Sequence, residues 1–225
     1  MNLKILVKNV MILLVGLMFI VPVTCFAFGS IENVGKIVVK GEKAYVMRNG
    51  KQIPIGGFGL ILKKGDQVVT NASGKAHIIL EEVNDIFLGP SSKLTLDKSI
   101  TKKDSGGISR FFLTIFGKLR AKVKKSKKRS LTVRTATAVI GVKGTDFIVE
   151  HVNNLTTVGT LKGLVNMKSN TNQQEIDIPP GKMCSVSAAG EVLALEEFAG
   201  KLLTNMEFAG EQMEAEDFSG EKIEF

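Results

Sequence analysis

With 225 residues, the chain is long enough for one ordinary hydrophobic core plus an appendage. Its formal charge of +8 is unevenly spread, basic in the middle and acidic at the end. The absence of Trp and the single Tyr, Tyr45, argue against a carbohydrate site built on aromatic platforms.

At the amino terminus Lys4 and Lys8 precede an apolar run from Val10 to Val21, followed by Pro22 and the small-residue pattern Cys25-Phe-Ala27. This reads as a secretory signal peptide over residues 1–27, with the mature chain starting at Phe28 in the periplasm or outside the cell. The competing reading is an N-terminal membrane anchor, because the apolar stretch continues almost to Phe28. Cleavage leaves Cys184 as the only thiol, so the fold has no internal disulfide and relies on its core.

From residue 44 onward the chain reads as short strands. Runs at 44–48 and 51–55 flank Asn49-Gly50, the strongest hairpin signal available, and Pro54 places the second run at an edge or strand end. Further runs follow at 67–70, 76–81, 86–88, 93–96, 111–116, 118–123, 131–140, 145–151, 156–161, 164–168, 175–178 and 183–186. No long 3.6-residue apolar period interrupts them, so residues 28–190 are expected to form an all-β body, either a sandwich or a solenoid-like stack of hairpins.

Within this body, Thr135-Ala-Thr-Ala-Val-Ile-Gly-Val-Lys-Gly-Thr-Asp-Phe147 combines apolar strand residues with two closely spaced glycines. The expected form is a bent strand, with Gly141 and Gly144 permitting unusual backbone angles or close chain approach. The segment resembles the core motif of the FecR domain family, with Thr135, Ala138, Gly141, Val142, Gly144, Thr145 and Phe147 on the marked positions. Two positions depart: Ala136 stands where proline is usual, and Lys143 where arginine is usual. Lys64 to Thr70, Gly74 to Leu80, Leu88 to Leu96, Phe116 to Val123, Thr157 to Val165 and Pro180 to Lys182 extend the resemblance in family order over residues 55–186. Glu82-Val-Asn-Asp85 replaces a usual Asp-Gly turn, so a longer or differently shaped hairpin is expected there.

The resemblance implies a roll-like stack of short antiparallel strands. It also implies a link to anti-sigma regulators, whose FecR-like part is periplasmic. Only nine residues precede the hydrophobic run, too few for a sigma-binding domain, so the expectation is a stand-alone exported module. A component of such a signalling system without its own sigma-binding domain is the alternative.

Nine basic residues lie between Lys118 and Arg134 with no acidic residue among them. Lys124, Lys125, Lys127, Lys128 and Arg129 are candidate anion-binding residues for an acidic protein, an anionic envelope polymer or a lipid surface. The plainer reading is a solvated loop, with Lys118, Arg120 and Lys122 on the outer face of a strand. Nucleic acid is not expected, since no aromatics interleave with the basic residues.

From Glu191 to the end, ten acidic residues face Lys201 and Lys222, and Glu197-Phe-Ala-Gly200, Glu207-Phe-Ala-Gly210 and Asp217-Phe-Ser-Gly220 recur every ten residues. Residues 191–225 are therefore expected to be an acidic tail, disordered or weakly helical, with Phe198, Phe208 and Phe218 as candidate partner anchors.

An enzyme reading rests on His151 or Cys184, each more simply a strand residue. No Walker loop, no Gly-x-Ser-x-Gly elbow, no dinucleotide fingerprint and no metal-like spacing are present, so no cofactor or metal is expected. Oligomeric state is open at this stage.

Overall fold

The computed structural model describes residues 33–38, 43–80, 84–102, 108–126, 129–204 and 206. Apolar alternation sets its architecture. In the segment Ala138–Val142, residues 138, 140 and 142 are buried while 139 and 141 are not, the period of two expected of a strand with one face inward.

Seventeen strands are formed among the described residues. They are β1 Asn33–Val38, β2 Ala44–Arg48, β3 Lys51–Pro54, β4 Leu60–Lys63, β5 Gln67–Thr70, β6 Ala76–Leu80, β7 Asn84–Leu88, β8 Lys93–Lys102 and β9 Ile108–Val123. After β9 come β10 Arg129–Arg134, β11 Ala138–Val142, β12 Asp146–Val152, β13 Leu155–Lys162, β14 Val165–Ser169, β15 Glu175–Ile178, β16 Lys182–Val186 and β17 Glu196–Glu197. Among the described residues no helix is long and apolar enough to cross a membrane.

The strands form one hydrogen-bonded system with two branches that share β9. One branch has the order β4-β1-β6-β7-β9-β12-β13-β16-β17. The other has the order β3-β2-β5-β8-β9-β10-β11-β14-β15. All neighbours are antiparallel except β9 and β10. The chain lays its hairpins alternately in the two branches, which is the expected roll-like stack. Leu119, Phe147 and Val158 of the first branch join Leu113, Ile140 and Met167 of the second in one buried cluster, so the core lies between the branches.

Strand β9 passes from one branch to the other at Gly117. Its residues up to Phe116 pair with β8, and its residues from Gly117 pair with β12. Gly117 has φ +94°, and a side chain there would run into Ser92. The Ser92 hydroxyl itself accepts the Lys118 N–H at 2.9 Å. Glycine therefore bends the strand without ending it, and the two strands expected at 111–116 and 118–123 are one.

Other expectations resolve locally. The Asn49-Gly50 hairpin forms with φ of 50° and 75° at the turn, and among the described residues β3 with Pro54 pairs only with β2. The single strand expected at 131–140 is instead β10 and β11, folded back on each other through Thr135 to Thr137. The turn at Glu82-Val-Asn-Asp85 lies mainly outside the described residues, as does the whole segment 1–27.

Candidate functional site

The Thr135 to Phe147 motif forms a crossing between the two branches, which corrects the expectation of one bent strand. Thr135 closes the turn before β11: its N–H donates to the Ala138 carbonyl, and the Ala138 N–H donates to Thr135 Oγ1, both at 2.9 Å. Ala138, Val142 and Phe147 enter the core, Thr145 is buried, and Lys143 is exposed. Gly144 has φ +72°, and a Cβ on it would meet Lys125 Cα at 2.5 Å. Gly141 differs from its expected role, because a Cβ there would meet nothing within 4 Å. Of the two glycines, only Gly144 is required by the backbone.

Thr135 also belongs to a buried polar node. Thr156 Oγ1 lies 2.8 Å from Thr135 Oγ1, 2.6 Å from Thr137 Oγ1 and 2.9 Å from His151 Nδ1. All four residues are buried. Burial pushes the His151 pKa below its ordinary value, partly opposed by a backbone hydrogen bond at Leu155. Thr137 and Thr156 carry no sequence signal of this role, since β10, β11 and β13 bring the threonines together only in the fold.

Cys184 is not brought to His151. His151 faces Thr156 across β12 and β13, Thr156 faces Val186, and Cys184 faces Val158, two positions further along. Cys184 Sγ lies 3.1 Å from the Leu193 carbonyl, and burial raises its pKa. A thiol held neutral and directed at a backbone carbonyl is a packing residue. Among the described residues no group of three or more His, Cys, Asp or Glu could hold a metal ion.

The basic residues divide into two sets. Those on β9 are paired within the sheet: Arg120 meets Asp146 at 2.9 and 2.7 Å, and Lys118 Nζ lies 3.0 Å from Glu150. Lys122 stands over the Phe87 ring at 5.4 Å. These are the outer-face residues expected from alternation, and their charge is largely answered locally. Beyond β9 the loop turns outward, with Lys124 and Lys125 exposed. Lys127 and Lys128 lie outside the described residues, and of Arg129 only its place at the start of β10 is described.

The fold adds two lysines to this loop that the sequence kept apart. The Val123 N–H donates to the Thr145 carbonyl at 2.8 Å, seating the Lys143-Gly144 turn on residues 123–125. A Cβ on Gly163 would lie 2.8 Å from the Gly144 carbonyl, so the Lys162-Gly163 turn comes next to it. Lys124, Lys125, Lys143 and Lys162, all exposed, thus sit on three adjoining turns.

The tail expected from residue 191 departs from a purely solvated segment in its first part. Strand β17 pairs with β16, and a 3₁₀ turn follows at Gly200–Leu203. Phe198 packs over Gly159 and is only partly exposed. Leu202 and Met206 are buried, and Met206 forms a small cluster with Phe87. Residues 196–204 and Met206 therefore strap the outer face from β13 to β7. Phe208 and Phe218 lie outside the described residues.

This geometry defines an all-β roll whose motif residues are spent on a branch crossing, with basic turns at one end and a strap on one face. Residues 66–166 match the model of the FecR protein family. Two crystal structures of a candidate anti-sigma factor from Parabacteroides distasonis, at 1.65 and 2.50 Å resolution, share the fold. Each aligns with a TM-score of 0.51 and 17% identity, over 60% of this chain and 61% of that one. No curated protein matches the chain.

Proposed function

We propose that the chain is a non-catalytic FecR-type binding module of the cell envelope, working through protein contacts in a signalling system. The observation that carries this reading is the use of the motif in the FecR match. Thr135 closes a turn and joins Thr137 in a buried node, Thr145 is buried and Asp146 pairs with Arg120, while Lys143 alone of the motif's polar residues projects with Lys124, Lys125 and Lys162. Such a surface recognises charge and shape without making or breaking bonds. An acidic protein surface is the favoured partner. An anionic envelope polymer or lipid headgroup would answer the same charge. The enzyme alternative using His151 or Cys184 has less support, because the two residues engage different partners.

Export followed by cleavage after Ala27 belongs to this reading, as does a scaffolding role. The test has two parts. Cell fractionation with amino-terminal sequencing should find Phe28 as the first residue in the envelope fraction. A protein partner, once captured and purified, should bind the purified chain directly. Joint replacement of Lys124, Lys125, Lys143 and Lys162 by Gln should reduce that binding at least tenfold without changing thermal stability. Binding indifferent to the four replacements would remove the basic turns as the contact surface.

A further inference from the structure

The first unit of the tail repeat is seen in place, and its anchoring contacts can be set against its copies. The Glu197 carboxylate pairs with Lys182 Nζ. The Phe198 N–H donates to the Gly181 carbonyl at 2.8 Å. The Phe198 ring occupies the space above Gly159, where an added Cβ would fall 2.7 Å from Cδ2. The receiving site thus includes a cation, a backbone acceptor and a glycine that leaves room for a ring.

All three features of the ligand recur in Glu207-Phe-Ala-Gly210 and Asp217-Phe-Ser-Gly220: a carboxylate, then a Phe carrying the N–H and the ring, then a small residue and glycine. Beyond that tetrapeptide the units part. Leu202 and Met206, both buried, correspond to Gln212 and Glu216 in the second unit, and Leu202 corresponds to Lys222 in the third. The first unit therefore holds an extra apolar anchor that the others lack.

We propose that the site formed by Gly159, Gly181 and Lys182 accepts Glu207–Gly210 and Asp217–Gly220 in place of Glu197–Gly200. The tail binds in three alternative registers, with the first the tightest. A ten-residue slip loops out ten more residues, and the entropic cost of a longer loop rises only with the logarithm of its length. The slip also withdraws Leu202 and Met206 from the sheet, which bares Phe87 and the neighbourhood of Gly89. Register choice would thus decide whether that apolar surface is covered or available.

The chain has no Trp, so an introduced indole reports its own environment. In the full chain, emission from Phe208→Trp should report an exposed indole. Adding Phe198→Ala should shift it to the blue, and adding Gly159→Leu should reverse the shift. A second measurement needs no vacated site. Emission from Phe198→Trp in the full chain should move to the red, saturably, on addition of a synthetic peptide of residues 204–216, and not with the same peptide carrying Phe208→Ala. Phe208→Trp emission unmoved by Phe198→Ala in a chain that still melts cooperatively, together with no effect of the peptide, overturns the proposal. A blue shift that depends on protein concentration and accompanies a dimer in sedimentation transfers the ligand to a second copy and overturns the intrachain register.

Discussion

Arg120 and Asp146 meet through two parallel bonds, Nε to Oδ1 at 2.9 Å and Nη2 to Oδ2 at 2.7 Å. One residue belongs to the basic block and the other to the FecR motif, so the pair ties β9 to β12 at the branch crossing. Arg120 is only 5% exposed, so losing this bidentate carboxylate is costly. Asp146→Ala is expected to lower stability by about 3 kcal/mol, read as a fall in the urea midpoint. Lys118→Ala, which removes a more exposed pair with Glu150, should cost less than about 1 kcal/mol. Equal losses would show that burial of the Arg120 pair is not what matters.

The two motif glycines should separate cleanly. Gly144→Val forces a β-branched residue into φ +72° against Lys125, and a loss of about 2 to 4 kcal/mol is expected. Gly141→Ala enters open space on a strand and should lie within about 1 kcal/mol of the parent. Lys143→Ala should be close to neutral for stability. Thermal melts rank the three, and a destabilised Gly141→Ala would restore to that glycine the role the structure withholds.

What could be seen in the sequence was local. Asn49-Gly50 announces its hairpin because both positions accept positive φ, and apolar alternation marks most strands. The β10–β11 turn was hidden because Thr135-Ala-Thr137 contains neither Gly nor Pro and the alternation runs on through it; the fold holds it with Thr135 hydrogen bonds. Gly117 misled in the opposite direction, since a glycine that bends a strand reads the same as one that ends it. In the tail, an average over acidic residues concealed Leu202 and Met206. The threonine node and the meeting of Lys143 with Lys125 depend on non-local pairing, which spacing along the chain does not encode.

Cys184 should behave as a sheltered thiol. In a Cys25→Ser background it is the single cysteine, 2% exposed and with its pKa raised by burial. Labelling by a thiol reagent at pH 8 should be at least about tenfold slower than in urea-unfolded chain, because the thiolate is the reacting form. Labelling in the folded state at the unfolded rate would revive the nucleophile reading.

His151 should make stability fall on mild acidification. Burial lowers its folded pKa below the ordinary value of 6.5, so the unfolded chain takes up this proton first as pH drops. The contribution is full above the unfolded pKa, declines as pH falls toward the lower folded pKa, and is flat beneath it. Between pH 7.5 and 5.5 the parent should therefore lose more stability than His151→Gln, measured by urea midpoints. Parallel losses would mean that the node tolerates an imidazolium.

The remaining tail and the basic turns carry opposite charge within one chain. Residues 207–225 contain seven acidic side chains against Lys222, while Lys124, Lys125, Lys143 and Lys162 stand exposed on adjoining turns. The tail is expected to screen those turns until an anionic partner displaces it, through attractions that are individually weak and salt-sensitive. Truncation after Met206 tests this without removing the strap, because Phe198, Leu202 and Met206 stay in place. At low salt the truncated chain should bind polyglutamate more tightly than the parent, the gain should fade near physiological ionic strength, and changing the four lysines to Gln should abolish it. Unchanged binding after truncation would end the screening idea. Weaker binding would instead make the tail, with Phe208 and Phe218, the contacting element, leaving the basic turns as a solvated end of the roll.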